Sequence, residues 1–163
     1  MADIDALLEE RLGHLIRFAA RGFTRSLQRH LAGLDMTFGQ WIFLRVLWAE
    51  DGLTQRALSV RAQLTEPTTH TALVKLEKLG YVKRKNLDGN NRRQHVFLTA
   101  RGHDAKDILE PLAIDVNEVA TKGLSDKEIG ALRKILLTVI QNLAEDEARA
   151  LSEGHVVPPT RGG

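Results

Sequence analysis

The stretch "LTQRALSVRAQLTEPTTHTALVKLEKLGYVKRK", Leu53 to Lys85, predicts two short helices joined by a tight turn. Thr54 and Thr65 precede the two helices, where a threonine side chain accepts a hydrogen bond from an N–H of the first turn. Pro67 suits the first turn of the second helix, and Gly80 suits the position just past its end. Two short helices in this order predict a helix-turn-helix.

The residues that follow predict a β-hairpin. The segments "YVKRKNL" (81–87) and "QHVFLT" (94–99) alternate in character, and the residues between them, "DGNNRR" (88–93), are rich in turn formers. The connection is longer than a two-residue turn. A helix-turn-helix followed by such a hairpin is a winged helix-turn-helix, so we expect a mainly α fold with a small β-hairpin wing (α+β).

Amphipathic helices flank this module on both sides. Apolar residues recur at spacings of three and four from Ile4 to Leu31, which predicts a first helix of nearly 30 residues. A second helix is expected in "MTFGQWIFLRVLWAEDG" (36–52), and a later helix near Thr99 is expected to be interrupted or kinked before Pro111. The capping box from Ser125 to Glu128 opens a last helix. The long apolar faces favour a partner surface, because a small domain cannot cover them.

Charge is unevenly distributed along the chain. Residues 53–103 carry ten Lys and Arg against three Asp and Glu, a net charge of +7. Residues 1–52 carry six against seven, and residues 104–163 carry seven against eleven, net charges of −1 and −4. A basic middle is typical of a nucleic-acid-binding module, although a solvated basic surface has the same composition.

Several classes of protein are excluded or disfavoured. The chain has no cysteine, so it has no disulfides, thiolate metal ligands or cysteine nucleophiles. No apolar run approaches the roughly 20 residues that span a bilayer. The N-terminus "MADIDALLEE" is acidic and unlike a signal peptide, so we expect a cytoplasmic protein. The six histidines have no close metal-ligand spacing, and the chain has no nucleophile elbow or phosphate-binding loop. We therefore expect no metal, no cofactor and no enzymatic activity.

The motifs resemble those of the MarR family of bacterial transcription regulators, from about Leu12 to Leu143. "EPTTHTALVKLEKLGYVKR" is similar to the family's recognition helix, and "DGNNRRQHVFLTARG" is similar to its wing with the ending "LTxxG". The resemblance implies a homodimer of intertwined terminal helices on pseudo-palindromic DNA. It divides the chain into a winged helix-turn-helix domain (35–103), a helical dimerisation region (1–34 and 104–150) and a disordered tail (151–163).

The same resemblance assigns DNA contacts. The start of a recognition helix faces base edges in the major groove, which selects Thr68, Thr69, His70 and Thr71. The alternative for Thr68 and Thr69 is that they only cap the helix. The remaining candidates are Lys75, Lys78, Thr54, Gln55 and Arg56 for phosphates, Arg92 for a phosphate and Arg93 for the minor groove.

An effector pocket is the second site that the resemblance implies, between the winged module and the dimer helices. Arginines beside aromatic rings suit a small aromatic or anionic molecule. The candidates are Phe18, Arg21, Phe38, Trp41 and Arg45. The alternative for Phe38 and Trp41 is a place in the core.

Three functions follow, and they differ in what the protein binds. The first is a homodimeric repressor that a ligand releases from its operator. The second is an effector-independent activator or an anti-silencing architectural protein that also binds DNA. The third is a winged-helix module that binds protein only, which the basic middle of the chain disfavours.

Overall fold

The computed structural model describes residues 4–87 and 94–157, and within them it has the predicted fold class. A short 3₁₀ turn (Asp5–Leu7) precedes six helices and three strands. In chain order these are α1 (Leu12–Ala32), α2 (Phe38–Ala49), β1 (Leu53–Thr54), α3 (Gln55–Ala62), α4 (Glu66–Lys78), β2 (Val82–Asn86), β3 (Gln94–Leu98), α5 (Ala100–Ala120) and α6 (Asp126–Ser152).

The helix starts lie where the capping residues predict them. Thr54, Thr65 and Thr99 each accept a hydrogen bond from a backbone N–H of the following first turn. Ser125 and Glu128 form the reciprocal bonds of a capping box. These boundaries are set by contacts between residues three positions apart, which is why the sequence alone was enough to predict them.

The sheet has one more strand than predicted. The antiparallel order is β1-β3-β2, with Val82 opposite Leu98 and Leu53 opposite Val96. β1 has only two residues, so it shows no alternating pattern that sequence reasoning could detect. It joins the end of α2 to the hairpin and leads directly into α3.

One hydrophobic core lies under the helix-turn-helix and the sheet. α2 supplies its centre, because Phe43 and Leu44 are fully buried. The other large, fully buried apolar side chains come from α1, α2, α3, α4, β2 and β3: Leu31, Leu47, Leu58, Leu73, Leu76, Val82 and Val96. α4 packs against α2, α3 and β2, and these contacts fix its position.

Gly102 explains the end of the "LTxxG" motif. A Cβ at this position would overlap the carbonyl oxygen of Tyr81, so α5 approaches the backbone just before β2 as closely as a residue without a side chain allows. The Trp48 Nε1–H donates to the Gly102 carbonyl at 2.9 Å, and the Thr99 hydroxyl donates to the Gly80 carbonyl at 2.6 Å. The motif thus holds α5 against both α2 and the hairpin.

The prediction of one N-terminal helix of nearly 30 residues is wrong. The helical path is broken at Arg11, whose backbone is extended (φ −64°, ψ 145°), and α1 begins at Leu12. Ile4, Leu8 and Leu12 are all well exposed in this chain. A helix gains most of its stability from packing its apolar face, and here the chain itself provides no such packing.

The predicted interruption before Pro111 is also absent. α5 is one helix from Ala100 to Ala120, with Pro111 inside it. Proline removes one intrahelical hydrogen bond. Leu109 and Val116 are buried on either side of it, and α5 packs along α1. This packing holds the helix together where its own hydrogen bonding is weakest.

α6 differs from every other helix, because none of its residues is buried. Its apolar stripe is largely exposed, as Leu132, Ile135, Ile140 and Leu143 show. The helix ends at Ser152, so it includes the first two residues of the predicted tail. None of the helices in the described ranges combines the length and the apolar character that a bilayer-spanning segment needs.

Candidate nucleic-acid interface

The helix-turn-helix is formed by α3 and α4 with a three-residue turn between them. Gln63 adopts a left-handed backbone (φ 54°), and its N–H donates to the end of α3. The Leu64 N–H donates to the Ser59 carbonyl at 3.0 Å, and Thr65 then caps α4. Leu58 and Ser59 are buried beneath the turn. Local hydrogen bonds therefore fix the angle at which α4 leaves α3.

Most of the predicted base-contacting residues share the exposed face of α4. Thr68, His70 and Thr71 are exposed, whereas Thr69 is fully buried. The Thr69 hydroxyl donates to the Thr65 carbonyl at 2.9 Å. The Thr69 side chain consequently faces the core, away from the exposed face where base contact was predicted. Its spacing of four residues before a buried leucine, Leu73, was the sequence signal for this position.

Several exposed polar groups at the start of α4 already form hydrogen-bond contacts within the protein. The hydroxyls of Thr65 and Thr68 lie 2.9 Å apart, and the Thr71 hydroxyl donates to the Pro67 carbonyl at 3.1 Å. His70 Nδ1 lies 3.3 Å from Gln55 Oε1 on α3. This last contact joins the first turns of the two helices, so the predicted base-contacting and phosphate-contacting groups form one continuous surface.

The predicted phosphate contacts lie at the ends of the two helices. Thr54 uses its hydroxyl to cap α3, and Gln55 and Arg56 occupy the first turn, where the helix dipole favours an anion. Lys75 and Lys78 lie exposed in the last turn of α4. Arg92 and Arg93, predicted to form the wing tip, lie outside the described residues.

An ion pair that the sequence did not reveal joins α4 to the hairpin. The Arg84 side chain donates to Glu77 Oε2 through Nε at 2.9 Å and through Nη2 at 2.6 Å. The Arg84 backbone N–H donates to Glu77 Oε1 at 3.2 Å. These hydrogen bonds lower the pKa of the Glu77 carboxyl below its ordinary value. The pair fixes β2 relative to the recognition helix, α4.

A second polar contact holds the other edge of the sheet. Asp51 Oδ1 accepts from the N–H groups of Gly52 and Leu98, both at 2.9 Å. His95 Nδ1 lies 2.8 Å from the Gly52 carbonyl oxygen. The turn after α2 is therefore bonded to both ends of β3. Sequence reasoning missed it, because Asp51 and Leu98 are 47 residues apart.

A cavity of about 370 Å³ opens between the start of α2 and the exposed face of α4. Gln40 is its most buried polar side chain, at 2% exposure. Gln40 Oε1 accepts from the Thr37 N–H at 2.9 Å, but Gln40 Nε2 has no hydrogen-bond partner in the structure. The cavity is lined by Thr37, Gly39, Gln40, Thr68, Thr71, Ala72 and Lys75.

The residues predicted for the effector pocket do not line this cavity. Phe38 and Trp41 stack with ring centroids 5.8 Å apart, and the Arg45 guanidinium lies 5.6 Å from the Trp41 ring centroid. Phe18 and Arg21 lie exposed on α1. Phe38 and Trp41 pack against the core, as the alternative interpretation had it. The side of α2 that faces α4 is the one that carries Gln40.

Metal binding finds no support among the residues that the structure describes. No group of three or more His, Asp or Glu side chains within 4–87 and 94–157 lies close enough to hold an ion.

Comparisons with known proteins agree with this geometry. The sequence model of the MarR family matches residues 34–94, from the turn before α2 to the start of β3. The HTH-type transcriptional regulator SarZ of Staphylococcus saprophyticus is 32% identical over 113 residues, which are 69% of this chain and 75% of SarZ. The HTH-type transcriptional regulator TtmR of Methylorubrum extorquens is 29% identical over 120 residues; the match covers 74% of this chain but 62% of TtmR.

Solved structures share the fold over most of the chain. A MarR family transcriptional regulator from Listeria monocytogenes, complexed with a 26mer DNA, superimposes with a TM-score of 0.79 at 24% identity, over 91% of this chain and 99% of that one. A MarR family protein from Mycobacterium tuberculosis, in complex with salicylic acid, has a TM-score of 0.66 at 24% identity, over 85% of this chain and 99% of that one. Together with the matches in sequence, the helix-turn-helix and the winged hairpin show that the chain belongs to the MarR family of DNA-binding transcriptional regulators, which are not enzymes.

Proposed function

We propose that the chain is a homodimeric repressor that leaves a pseudo-palindromic operator when a small aromatic or anionic molecule binds it. One observation carries the proposal. Thr68, Thr71 and Lys75 belong both to the exposed face of α4 and to the wall of the cavity. A molecule in the cavity therefore contacts the same side chains that would meet DNA, and the two binding events compete.

The DNA contact follows from the surface of α4 and its neighbours. α4 lies in the major groove, where Thr68, His70 and Thr71 meet base edges and Lys75 and Lys78 meet phosphates. The first turn of α3 meets another phosphate. From the sequence, Arg92 and Arg93 add the wing contacts. The net charge of +7 in residues 53–103 supports this surface, as does the related fold solved with 26mer DNA.

Dimerisation follows from the apolar surface that the chain leaves exposed. Within the part of the chain that the structure describes, the stripe on α6 that includes Leu132 and Leu143 is largely exposed, and so is Leu12 on α1. A second copy would bury both surfaces and would place two recognition helices on the half-sites of a palindrome. The regulator then works in the cytoplasm, beside the DNA it binds.

The ligand class follows from the groups that line the cavity. Lys75 supplies a positive charge and the start of α2 favours an anion, and the Nε2 of the buried Gln40, one of the lining residues, has no hydrogen-bond partner in the structure. Together they suit a carboxylate, and the remaining volume suits an aromatic ring. The related fold with salicylic acid bound supports this class of ligand.

A Gln40→Glu variant tests the proposal, because glutamate keeps the capping oxygen and replaces the donor by a carboxylate. A duplex selected in vitro with this protein is the operator, and its affinity is measured by fluorescence anisotropy. We expect salicylate to weaken binding to the operator at least about tenfold, the equivalent of about 1.4 kcal/mol. The variant should bind the operator normally and respond only at much higher salicylate concentrations.

Two controls complete this experiment. Salicylamide, which lacks the carboxylate, should release neither protein, and thermal unfolding should show that the variant is folded. A log–log plot of affinity against salt should fall steeply, because phosphate contacts release counterions. If a panel of aromatic acids leaves operator binding unchanged, the effector-independent activator or architectural protein becomes the better interpretation.

A further inference from the structure

The exposed face of the recognition helix, α4, carries a branched apolar side chain, Val74. Val74 is 43% exposed, although the preceding residue, Leu73, is fully buried. Spacings of three and four residues place Pro67, His70, Thr71 and Val74 along one side of α4. All four are exposed. Val74 therefore lies on the stripe that also holds predicted base-contacting residues.

Val74 contributes neither to the core nor to the cavity within the described residues. α4 packs against α2, α3 and β2 through its other face, where Leu73 and Leu76 are buried. A single exposed valine is common on protein surfaces, but this one lies on the face that a helix-turn-helix presents to DNA.

The chemistry of the major groove suggests what such a side chain reads. A helix in this groove contacts base edges through residues spaced i, i+3, i+4 and i+7, the spacing of Pro67, His70, Thr71 and Val74. Thymine alone presents a methyl group there, and apolar side chains contact it. Against the amino group of cytosine or adenine, valine would bury a donor without a partner.

We propose that Val74 is a specificity-determining residue that contacts the C5-methyl group of a thymine at one fixed position in each operator half-site. The contact rests on the proposed reading of the major groove by α4. Because valine is branched at Cβ, it keeps essentially one rotamer in a helix, so its methyl groups hold a constant place in the groove. The side chain then favours thymine by contact and disfavours other bases by desolvation.

A coupling experiment between protein and DNA tests the contact. In the selected operator, each thymine is replaced by deoxyuridine, one symmetric pair of positions at a time, which removes only the methyl groups. For the wild-type protein we expect one pair to weaken binding by about fourfold per methyl group. For Val74→Ala the same replacement should have little effect. For the wild-type protein, a 5-methylcytosine in place of that thymine should recover part of the affinity that deoxyuridine loses.

Val60→Ala is the matched control, because Val60 is a 70% exposed valine on α3, away from the stripe. It should show the wild-type response to every replacement. Val74→Thr, which keeps one methyl group, should fall between wild type and Val74→Ala. If Val74→Ala loses no response to deoxyuridine at any position, Val74 does not contact a thymine and the proposal is overturned.

The outcome is separable from that of the proposed function. A combined His70→Ala and Lys78→Ala variant that binds the operator as well as wild type would remove α4 from the interface altogether. In that case both the major-groove reading and the thymine contact fail. A large loss in that variant, with no methyl coupling at Val74, would overturn only the thymine contact.

Discussion

α4 and α6 are both amphipathic, yet the chain treats them in opposite ways. α4 has 13 residues and buries three of them, whereas α6 has 27 residues and buries none. α4 lies among α2, α3 and β2. The apolar stripe of α6, from Leu132 to Leu143, remains largely exposed. Similar periodicity in sequence thus has two outcomes: the apolar face of α4 is buried by its neighbours, and the apolar face of α6 is largely exposed.

The difference indicates which parts of the molecule depend on a second copy. The winged module has its own core, its own caps and polar contacts between its elements. α6 has a capping box, but none of its residues is buried by the described parts of the chain, so its stability should vary with protein concentration. The exposed residues before Arg11 belong with α6 in this respect, because their apolar side chains also lack cover.

The largest expected effect comes from placing charges on the exposed apolar stripe of α6. Leu132→Asp combined with Leu143→Asp places four carboxylates in the proposed dimer interface. Burying an unpaired charge costs several kcal/mol, so we expect the dimer to dissociate at least about a thousandfold more readily. Sedimentation equilibrium measures this. Gln141→Asp, on the opposite side of α6, is the control and should leave the dimer intact; a stable dimer in the double variant would contradict the proposed interface.

A smaller effect is expected from removing a side chain in the closed core. Leu76 is fully buried, so Leu76→Ala should lower the free energy of unfolding by about 2–5 kcal/mol. Leu143→Ala, at 65% exposure in the single chain, should be mild and should act through association. Thermal unfolding at several protein concentrations distinguishes them. The loss in Leu76→Ala should be the same at every concentration, and the loss in Leu143→Ala should grow as concentration rises and dimers form, up to a plateau where both proteins are dimeric.

The sequence predicted those features that depend on neighbouring residues. The caps at Thr54, Thr65 and Ser125, the helix-turn-helix, the hairpin and the last helix all rest on patterns within a few positions. The family resemblance extended this to the fold and to DNA binding. The break at Arg11 escaped prediction, because periodicity does not reveal whether a face finds a partner within the chain.

Features that depend on distant residues could not be predicted. The pairing of Glu77 with Arg84, the bond from Leu98 to Asp51 and the place of Gln40 in the cavity wall depend on how helices and strands meet in space. Thr69 is an intermediate case. Its spacing from Leu73 indicated burial, but the same residue also fitted the start of a recognition helix, where base contacts are common.

The smallest expected effect tests whether the ion pair between Glu77 and Arg84 stabilises the winged module without a second copy of the chain. The pKa of Glu77 is lowered by the hydrogen bonds from Arg84, so the pair stabilises the fold above the unfolded pKa of about 4.5. This stabilisation is lost as pH falls through the lower, folded pKa. The pair is partly solvated, so Glu77→Gln should cost at most about 1 kcal/mol at neutral pH. Below the folded pKa the difference from wild type should vanish, as chemical denaturation at a series of pH values falling from 7 would show. In an Arg84→Ala background the same substitution should cost little at any pH, and none of these differences should depend on protein concentration. A cost for Glu77→Gln that persists unchanged after NMR titration shows the Glu77 carboxyl to be protonated would mean that the side chain acts by packing and that the ion pair does not hold the wing to the recognition helix.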